Sequence, residues 1–335
     1  MSRPKVVVAA KISRLWMTTS AFRRVGAGLP VMDKCFGCLP VTPIQVAAEH
    51  LGVSRREIGR LLETKVLVRI NRLLVVGSCV VEHAAESPGA GALLRLDTLL
   101  ARFDDAFASH ESAAIARGLP VLTVPLIATV TRPQGAWRGG PEERVRIAQL
   151  PAHHVDVVEG RRVTSIARTV VDIARTCDLA RAVVVGDAAL RRGLSRQELC
   201  DVLDECAQWA EVRAAGQAVM FLDPRAESPF ESLSRVRMHE YDVPTPELQM
   251  PVRGASGRDY RADFGWRKRR LIGEADGRAK YLEDPAQTTA EVLYQEKLRE
   301  DDLREAGWDF VRWGYRDMLR RPEQPVGRIM RKLLR

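Results

Sequence analysis

Residues 260–277 leave the chain little choice of local structure. Tyr260-Arg-Ala-Asp-Phe-Gly-Trp266 and Leu271-Ile-Gly-Glu-Ala-Asp-Gly277 are strand-like runs separated by Arg267-Lys-Arg-Arg270. Two such runs around a short polar turn form a β-hairpin. An even-length turn centred between Lys268 and Arg269 pairs Trp266 with Leu271 and sets Asp263 opposite Glu274. Directly opposed residues share a face, with Cβ atoms about 5 Å apart. Asp276, two residues beyond Glu274, points to that face too. Three carboxylates are therefore expected to converge. Like charges so placed repel, unless a cation sits between them or one is protonated. Mg²⁺ (or Mn²⁺), hard and oxygen-seeking, is the expected ion, with Asp263, Glu274 and Asp276 as ligands. Such an ion activates water and stabilises a phosphate in transit, and Lys280 is positioned to assist. The competing arrangement pairs Arg261, opposite Asp276 in this register, with that carboxylate. It leaves only a solvated polar face whose ion pairs contribute little.

A second pattern lies at 40–85. Thr42 is read as an N-cap with Pro43 at the first helical position, and Gly52 ends that helix. Ser54 caps a second helix, and Glu57 three residues on completes a capping box. Ile58, Leu61 and Leu62 share one face of this helix, while Arg55, Arg56 and Arg60 lie elsewhere on its surface. A β-like stretch, Val66–Val76, follows and carries Arg69 and Arg72. Two short helices, a tight Gly turn and a basic strand pair predict a winged helix-turn-helix whose second helix enters the major groove of DNA. The alternative is a small helical protein-interaction domain with a solvated basic face. The turn Asn71-Arg72 is unusual, because Gly would fit there more easily.

The chain has 335 residues, enough for several domains, and a net charge of +9, which favours polyanionic partners. No apolar run is long enough to span a bilayer, so a cytoplasmic protein without membrane contact is expected. Residues 1–39 read as a basic, disordered extension, or as the result of a start placed upstream of Met17 or Met32. Cys35 and Cys38 form a lone CxxC without a second pair, so free thiols are expected rather than zinc. A linker is expected near Glu86–Gly91, a middle α/β domain at 92–205, a C-terminal domain at 226–320 and a basic tail at 321–335. In the middle domain, Ala108-Ser-His-Glu-Ser-Ala-Ala114 before Gly118 reads as a capped helix. Val163–Ala174 reads as an amphipathic helix burying Ile166, Val170 and Ile173. His110 has no evident partner and is taken as structural.

Asp263 followed by Glu274-Ala-Asp-Gly-Arg-Ala-Lys280 resembles the core motif of the restriction-endonuclease-like PD-(D/E)XK superfamily. It is closest to the group allied to very-short-patch repair endonucleases, which includes a bacterial domain family of unassigned function. The resemblance implies an α/β/α fold and an acidic residue on the preceding helix, matched here to Glu231 in Ala226–Arg235 rather than Glu227. Glu296–Asp302 and Gly307–Trp313 match the family's last helix and strand. The chain departs from the pattern in having Asp276 where the superfamily's usual Lys stands, and Lys280 where close relatives often have His. The winged-helix region, with Ser109–Ala114 and Thr164–Asp172, is similar to antitoxins of the AbiEi type. In such systems the winged helix represses its own promoter, and the toxin is a nucleotidyltransferase.

The expected fold class is thus α+β and multidomain: a winged helix-turn-helix, a middle α/β domain and a restriction-endonuclease-like domain. Two functions follow. The first is a Mg²⁺-dependent DNA endonuclease using Glu231, Asp263, Glu274, Asp276 and Lys280, guided by Arg55, Arg56, Arg60, Arg69 and Arg72. The second is a non-catalytic autoregulator or antitoxin that binds DNA through the same arginines.

Overall fold

The computed structural model describes residues 36–135, 140, 142–276 and 289–335, the side chains of 289–293 excepted. The fold is mixed α+β, with thirteen α-helices and three β-sheets among the described residues. The chain divides into two compact units. One comprises residues up to 117 with 124–165, and the other 118–123 with 166–335. Residues 92–205 are thus shared between both units. Among the described residues, no helix is long and apolar enough to cross a membrane.

The first unit is packed from Phe36 onward. Phe36–Cys38 form a 3-10 turn, and Leu39 is buried with Ala47, Leu51, Ile58, Leu67 and Val75. Gly77 has to be glycine, because a Cβ there would meet the backbone oxygen of Gly37 at 2.0 Å. Thr42 does not cap a helix. Thr42–Pro43 form a two-residue strand, β1, paired with Val75 and Leu74, and Pro43 itself occupies the N-cap of α1 (Ile44–Leu51). Gly52, at φ 64°, ends α1 in the left-handed conformation that glycine adopts without strain. Ser54 then opens α2 (Arg55–Glu63) with the expected capping box. Its hydroxyl accepts the Glu57 N–H, and its own N–H is taken by the Glu57 carboxylate at 2.8 Å. Ile58 is buried, and Leu61 and Leu62 pack half-buried beside it.

The β-like stretch resolves into an antiparallel hairpin, β2 (Leu67–Arg69) and β3 (Leu74–Gly77), giving the sheet order β1-β3-β2. Asn71 does the turn's work without glycine. Its Oδ1 accepts the N–H groups of Leu73 and Leu74 at 2.8 and 3.0 Å. No linker follows. α3 (Ser78–Glu86) and α4 (Pro88–Leu100) are separated by Ser87 alone, which accepts the Ala90 N–H and places Pro88 at the first helical position. Pro and Gly at 88–91 therefore start a helix instead of interrupting one.

The unit's other sheet has five strands: β4 (Phe107–Ala108), β5 (Ala128–Arg132), β6 (Glu143–Ile147), β7 (Val155–Val158) and β8 (Arg161–Thr164). Their order is β6-β5-β4-β8-β7. Leu96, Leu99 and Leu100 of α4 and Ala113 and Ala116 of α5 (His110–Ala116) cover it. Two bidentate arginine–aspartate pairs, Arg161–Asp97 and Arg132–Asp105, pin strands to neighbouring chain.

The second unit begins with four helices: α6 (Ile166–Thr176), α7 (Leu179–Arg191), α8 (Arg196–Glu205) and α9 (Val212–Phe221). α10 (Pro229–Glu240) precedes a four-stranded sheet of β9 (Glu247–Arg253), β10 (Asp259–Trp266), β11 (Leu271–Asp276) and β12 (Asp309–Gly314). β9, β10 and β11 run antiparallel in sequence. β12 returns beside β11 in parallel after α11 (Thr289–Glu305). Trp313 donates its indole N–H to Ser234 of α10, while Leu303 of α11 packs with Ile272 and Phe310. Side chains of 310 and 313 lie on opposite faces of β12. The sheet therefore lies between α10 and α11, as three layers. α12 (Tyr315–Arg320) and α13 (Glu323–Leu333) follow. The expected basic tail is mostly α13, which buries Pro325, Val326, Ile329 and Leu333.

Candidate nucleic-acid interface and carboxylate site

α1, the Gly52-Val53-Ser54 turn and α2 form a tight helix–turn–helix, and the β2–β3 hairpin follows directly. Burial of Ile58 fixes the rotation of α2, so the arginines are left outside. Arg55, Arg56, Arg60, Arg69 and Arg72 are all exposed, and none forms an ion pair among the described residues. Arg56 and Arg60, four residues apart, share one side of α2. Five guanidinium groups on one helix and one hairpin are free to meet an anion.

The carboxylate hairpin has the predicted register over its observed ladder, with Trp266 opposite Leu271 and Phe264 opposite Gly273. The turn is Arg267–Arg270, with Arg270 at φ 46°. The ladder is nevertheless interrupted at Asp263, for a reason located in β9. Ladder pairs stand on either side of Gln249 and Asp263 but not at them, and Gln249 takes a φ of 50°. Ala262 packs in one cluster with Ile272, although strict alternation from Gly265, the partner of Ile272, would separate them. The irregularity reverses the alternation at Asp263.

The acidic residues consequently occupy two environments. Glu231, at the first turn of α10, is buried, 8% exposed. Its carboxylate accepts the Glu227 N–H at 2.9 Å, the Ser228 hydroxyl at 2.8 Å and the Gln249 amide at 2.8 Å. Burial pushes its pKa upward against these hydrogen bonds, and the negative charges of Asp263 and Glu227 add to the rise. Asp263 accepts the Ala275 N–H at 3.1 Å. Glu227 is exposed and pairs with Arg261 at 2.7 Å, so Arg261 is not the partner expected for Asp276. Asp276 is exposed at the end of β11, and Lys280 lies outside the described residues.

Glu274 sits among arginines. Arg312, its neighbour in the β11–β12 ladder, donates Nε to Oε2 at 2.8 Å, and Arg299 of α11 lies 2.9 Å from Oε1. The network continues: Arg312 reaches Glu300 at 2.7 Å, Glu300 reaches Arg304 at 2.7 Å, and Asp309 joins Arg304 and Lys332. Burial works against the charge of Arg312, but Glu274 and Glu300 outweigh it and raise its pKa. A Mg²⁺ or Mn²⁺ ion bound by Glu274 would have to displace Arg299 or Arg312. Both Glu274 oxygens are thus taken by guanidinium groups, which leaves neither open to an ion in this arrangement.

Other sequence-level candidates have structural roles. The Ser109 hydroxyl accepts Thr131 Oγ1 at 2.8 Å, and Ser112 accepts the Thr129 N–H at 2.9 Å, so both tie the start of α5 to β5. His110 is buried at φ 55°, with Nδ1 3.0 Å from Ser109 Oγ, a partner not evident in the sequence. Arg168 and Asp172 form a fully buried pair at 3.0 Å within α6, and Arg168 stacks over Trp209 with its carbon 4.3 Å from the ring centre. Asp187 of α7 is wholly buried and accepts from Ser232, Arg235 and the Asp223 N–H, which joins α7 to α10; burial raises its pKa. The i, i+4 spacing of Arg168 and Asp172 is the only mark these buried charges leave in sequence. Among the described residues, Cys79, Cys200 and Cys206 are free thiols. Cys35 lies outside the described residues.

No family model matches the chain. Two uncharacterized proteins of Mycobacterium tuberculosis, one from strain CDC 1551 / Oshkosh and one from strain H37Rv, are similar to it. Each is 35% identical over 194 residues, which cover 58% of this chain and 69% of the relative.

Proposed function

The chain belongs to the family of these Mycobacterium tuberculosis proteins, and for it we propose a DNA-binding, regulatory function exerted through a winged helix-turn-helix in the first unit. The observation that carries the reading is the set of exposed, unpaired arginines on α2 and the β2–β3 hairpin. Guanidinium groups without carboxylate partners keep their full charge for phosphates and base edges. α2 enters the major groove by its N-terminal end, with Arg56 and Arg60 toward the bases and Arg55 toward the backbone. The hairpin lies along the flanking backbone, with Arg69 and Arg72 on phosphates. The arginine pairing of Glu274 supports a non-catalytic role for the second unit. In this reading its three layers serve as a restriction-endonuclease-like module for binding or dimerising. In the antitoxin form of this reading, the target is the protein's own promoter and a nucleotidyltransferase is the partner.

The test is fluorescence anisotropy of the full chain on a duplex from its own upstream region and on a scrambled duplex. Arg56→Ala is expected to weaken binding to the upstream duplex by about 1–3 kcal/mol and to leave the scrambled duplex less affected. An equal loss on both would make Arg56 a phosphate contact. If the triple variant R55A/R56A/R60A binds both duplexes as tightly as the unmodified chain, the reading is wrong.

A further inference from the structure

We propose that the second unit carries a phosphodiester-binding surface of its own, a basic cleft between β12 and α13. The cleft has a volume of about 270 Å³ and is walled by Arg312, Arg328, Arg331, Lys332 and Arg335, with Phe310 and Val311 beneath. No Asp or Glu is among its lining residues. The proposal adds a second contact region to the DNA-binding reading and rests on it only for the identity of the polymer.

The sequence builds the cleft through one helix. Val326, Ile329 and Leu333 of α13 are buried, which fixes the opposite face outward. Arg328, Arg331 and Lys332 follow i, i+3, i+4 spacing and so form one stripe, and Arg335, just past the helix end, joins them in lining the cleft. Cations in the last turn of a helix also stabilise its dipole. That accounts for Arg331 and Lys332 but not for Arg312, which belongs to a strand.

The charges divide by commitment. Arg312 is held by Glu274 and Glu300, and Lys332 by Asp309. Arg328 donates to the Arg312 carbonyl at 3.2 Å. Arg331 and Arg335 are exposed and form no ion pair among the described residues. The committed groups hold the cleft's shape, and the free ones offer forked donors to an anion. From Arg328 to Lys332 the stripe rises about 6 Å along the helix, at 1.5 Å per residue, and Arg335 extends the row past its end. An open, elongated row of guanidinium groups suits a chain of phosphates better than a single enclosed anion.

The experiment measures duplex affinity of the full chain against NaCl concentration for three proteins: unmodified, R331A/R335A and R55A/R56A/R60A. Losing two phosphate contacts flattens the log–log salt slope by about 1.8, which shrinks the affinity drop between 50 and 200 mM salt about 12-fold. R331K/R335K is expected to restore most of the slope. If R331A/R335A leaves affinity and slope unchanged while R55A/R56A/R60A weakens binding, the cleft is no DNA contact and the helix-turn-helix reading stands. If R331A/R335A weakens binding while R55A/R56A/R60A does not, the cleft stands and the helix-turn-helix reading falls. No binding of duplex by the unmodified chain overturns both. Unchanged duplex affinity of R331A/R335A with lost binding to phosphatidylserine vesicles would make the cleft a membrane contact and overturn the proposal.

Discussion

Replacing Glu274 by Gln separates two opposite views of the carboxylate hairpin. The Glu274 side chain is 14% exposed, Arg299 29% and Arg312 41%. Removing one partner of a fully buried pair costs about 3–5 kcal/mol, because the other charge is left uncompensated. An exposed pair contributes about 0–1 kcal/mol. Glu274 lies between these limits. Arg312 keeps Glu300 as a second partner, while Arg299 and Arg312 lose the anion that separates them. We therefore expect E274Q to destabilise the second unit by about 2 kcal/mol, intermediate between the buried and exposed limits. For a unit of this size that lowers Tm by about 4–8 °C. Trp209, Trp266, Trp308 and Trp313 all lie in this unit, so tryptophan fluorescence follows its melting. The melt is run in EDTA to remove bound metal. If crowded carboxylates were the dominant feature, neutralising one without metal would relieve repulsion and raise Tm. An unchanged or raised Tm for E274Q would therefore refute the ion-pair reasoning.

Three further outcomes are expected. Ser54→Ala removes half of the capping box at α2 and should cost about 1 kcal/mol, read as faster hydrogen exchange at the amides of residues 55–58. Gly77→Ala forces a Cβ onto the Gly37 backbone oxygen. With no flexible side chain to yield, the cost should reach about 3 kcal/mol, seen as a lower urea midpoint by circular dichroism. Glu231 has a raised folded-state pKa, chiefly from burial, so the folded state holds its proton more tightly than the unfolded chain. Its favourable contribution is complete below the unfolded carboxylate pKa and is lost as pH rises through the raised folded value. The Tm difference between the unmodified chain and E231Q should accordingly shift against the unmodified chain as pH rises across that window. A difference independent of pH would contradict the burial of an ionisable Glu231.

The two helices at 44–63 and the turn between them were legible because each of their signals is local. Gly52 ends α1, Ser54 and Glu57 cap α2, and Ile58 sets the buried face. The hairpin register was legible for the same reason, since a four-residue turn and period-two alternation determine it. The interruption of the ladder at Gln249 and Asp263 was hidden, because a non-glycine residue at positive φ leaves no mark in sequence. The partners of Glu274 were equally hidden: Arg312 is 38 residues away, and only the parallel return of β12 brings it alongside. The linker expected near Glu86–Gly91 rested on Pro and Gly interrupting helices, whereas Pro at the first helical position begins one. The Asn71 turn shows the converse, with a side-chain amide supplying what glycine's backbone freedom otherwise would.

The central claim, that this chain grips DNA with the arginine face of α2 and does not cut it, is tested most directly by a labelled upstream duplex in an electrophoretic mobility assay, first in EDTA and then with Mg²⁺ or Mn²⁺. The expected result is a metal-independent shifted complex that disappears in R55A/R56A/R60A, persists in D263A/E274A, and leaves the duplex intact when metal is added. Failure to form a complex without metal, or metal-dependent cleavage that D263A/E274A abolishes, would contradict the account.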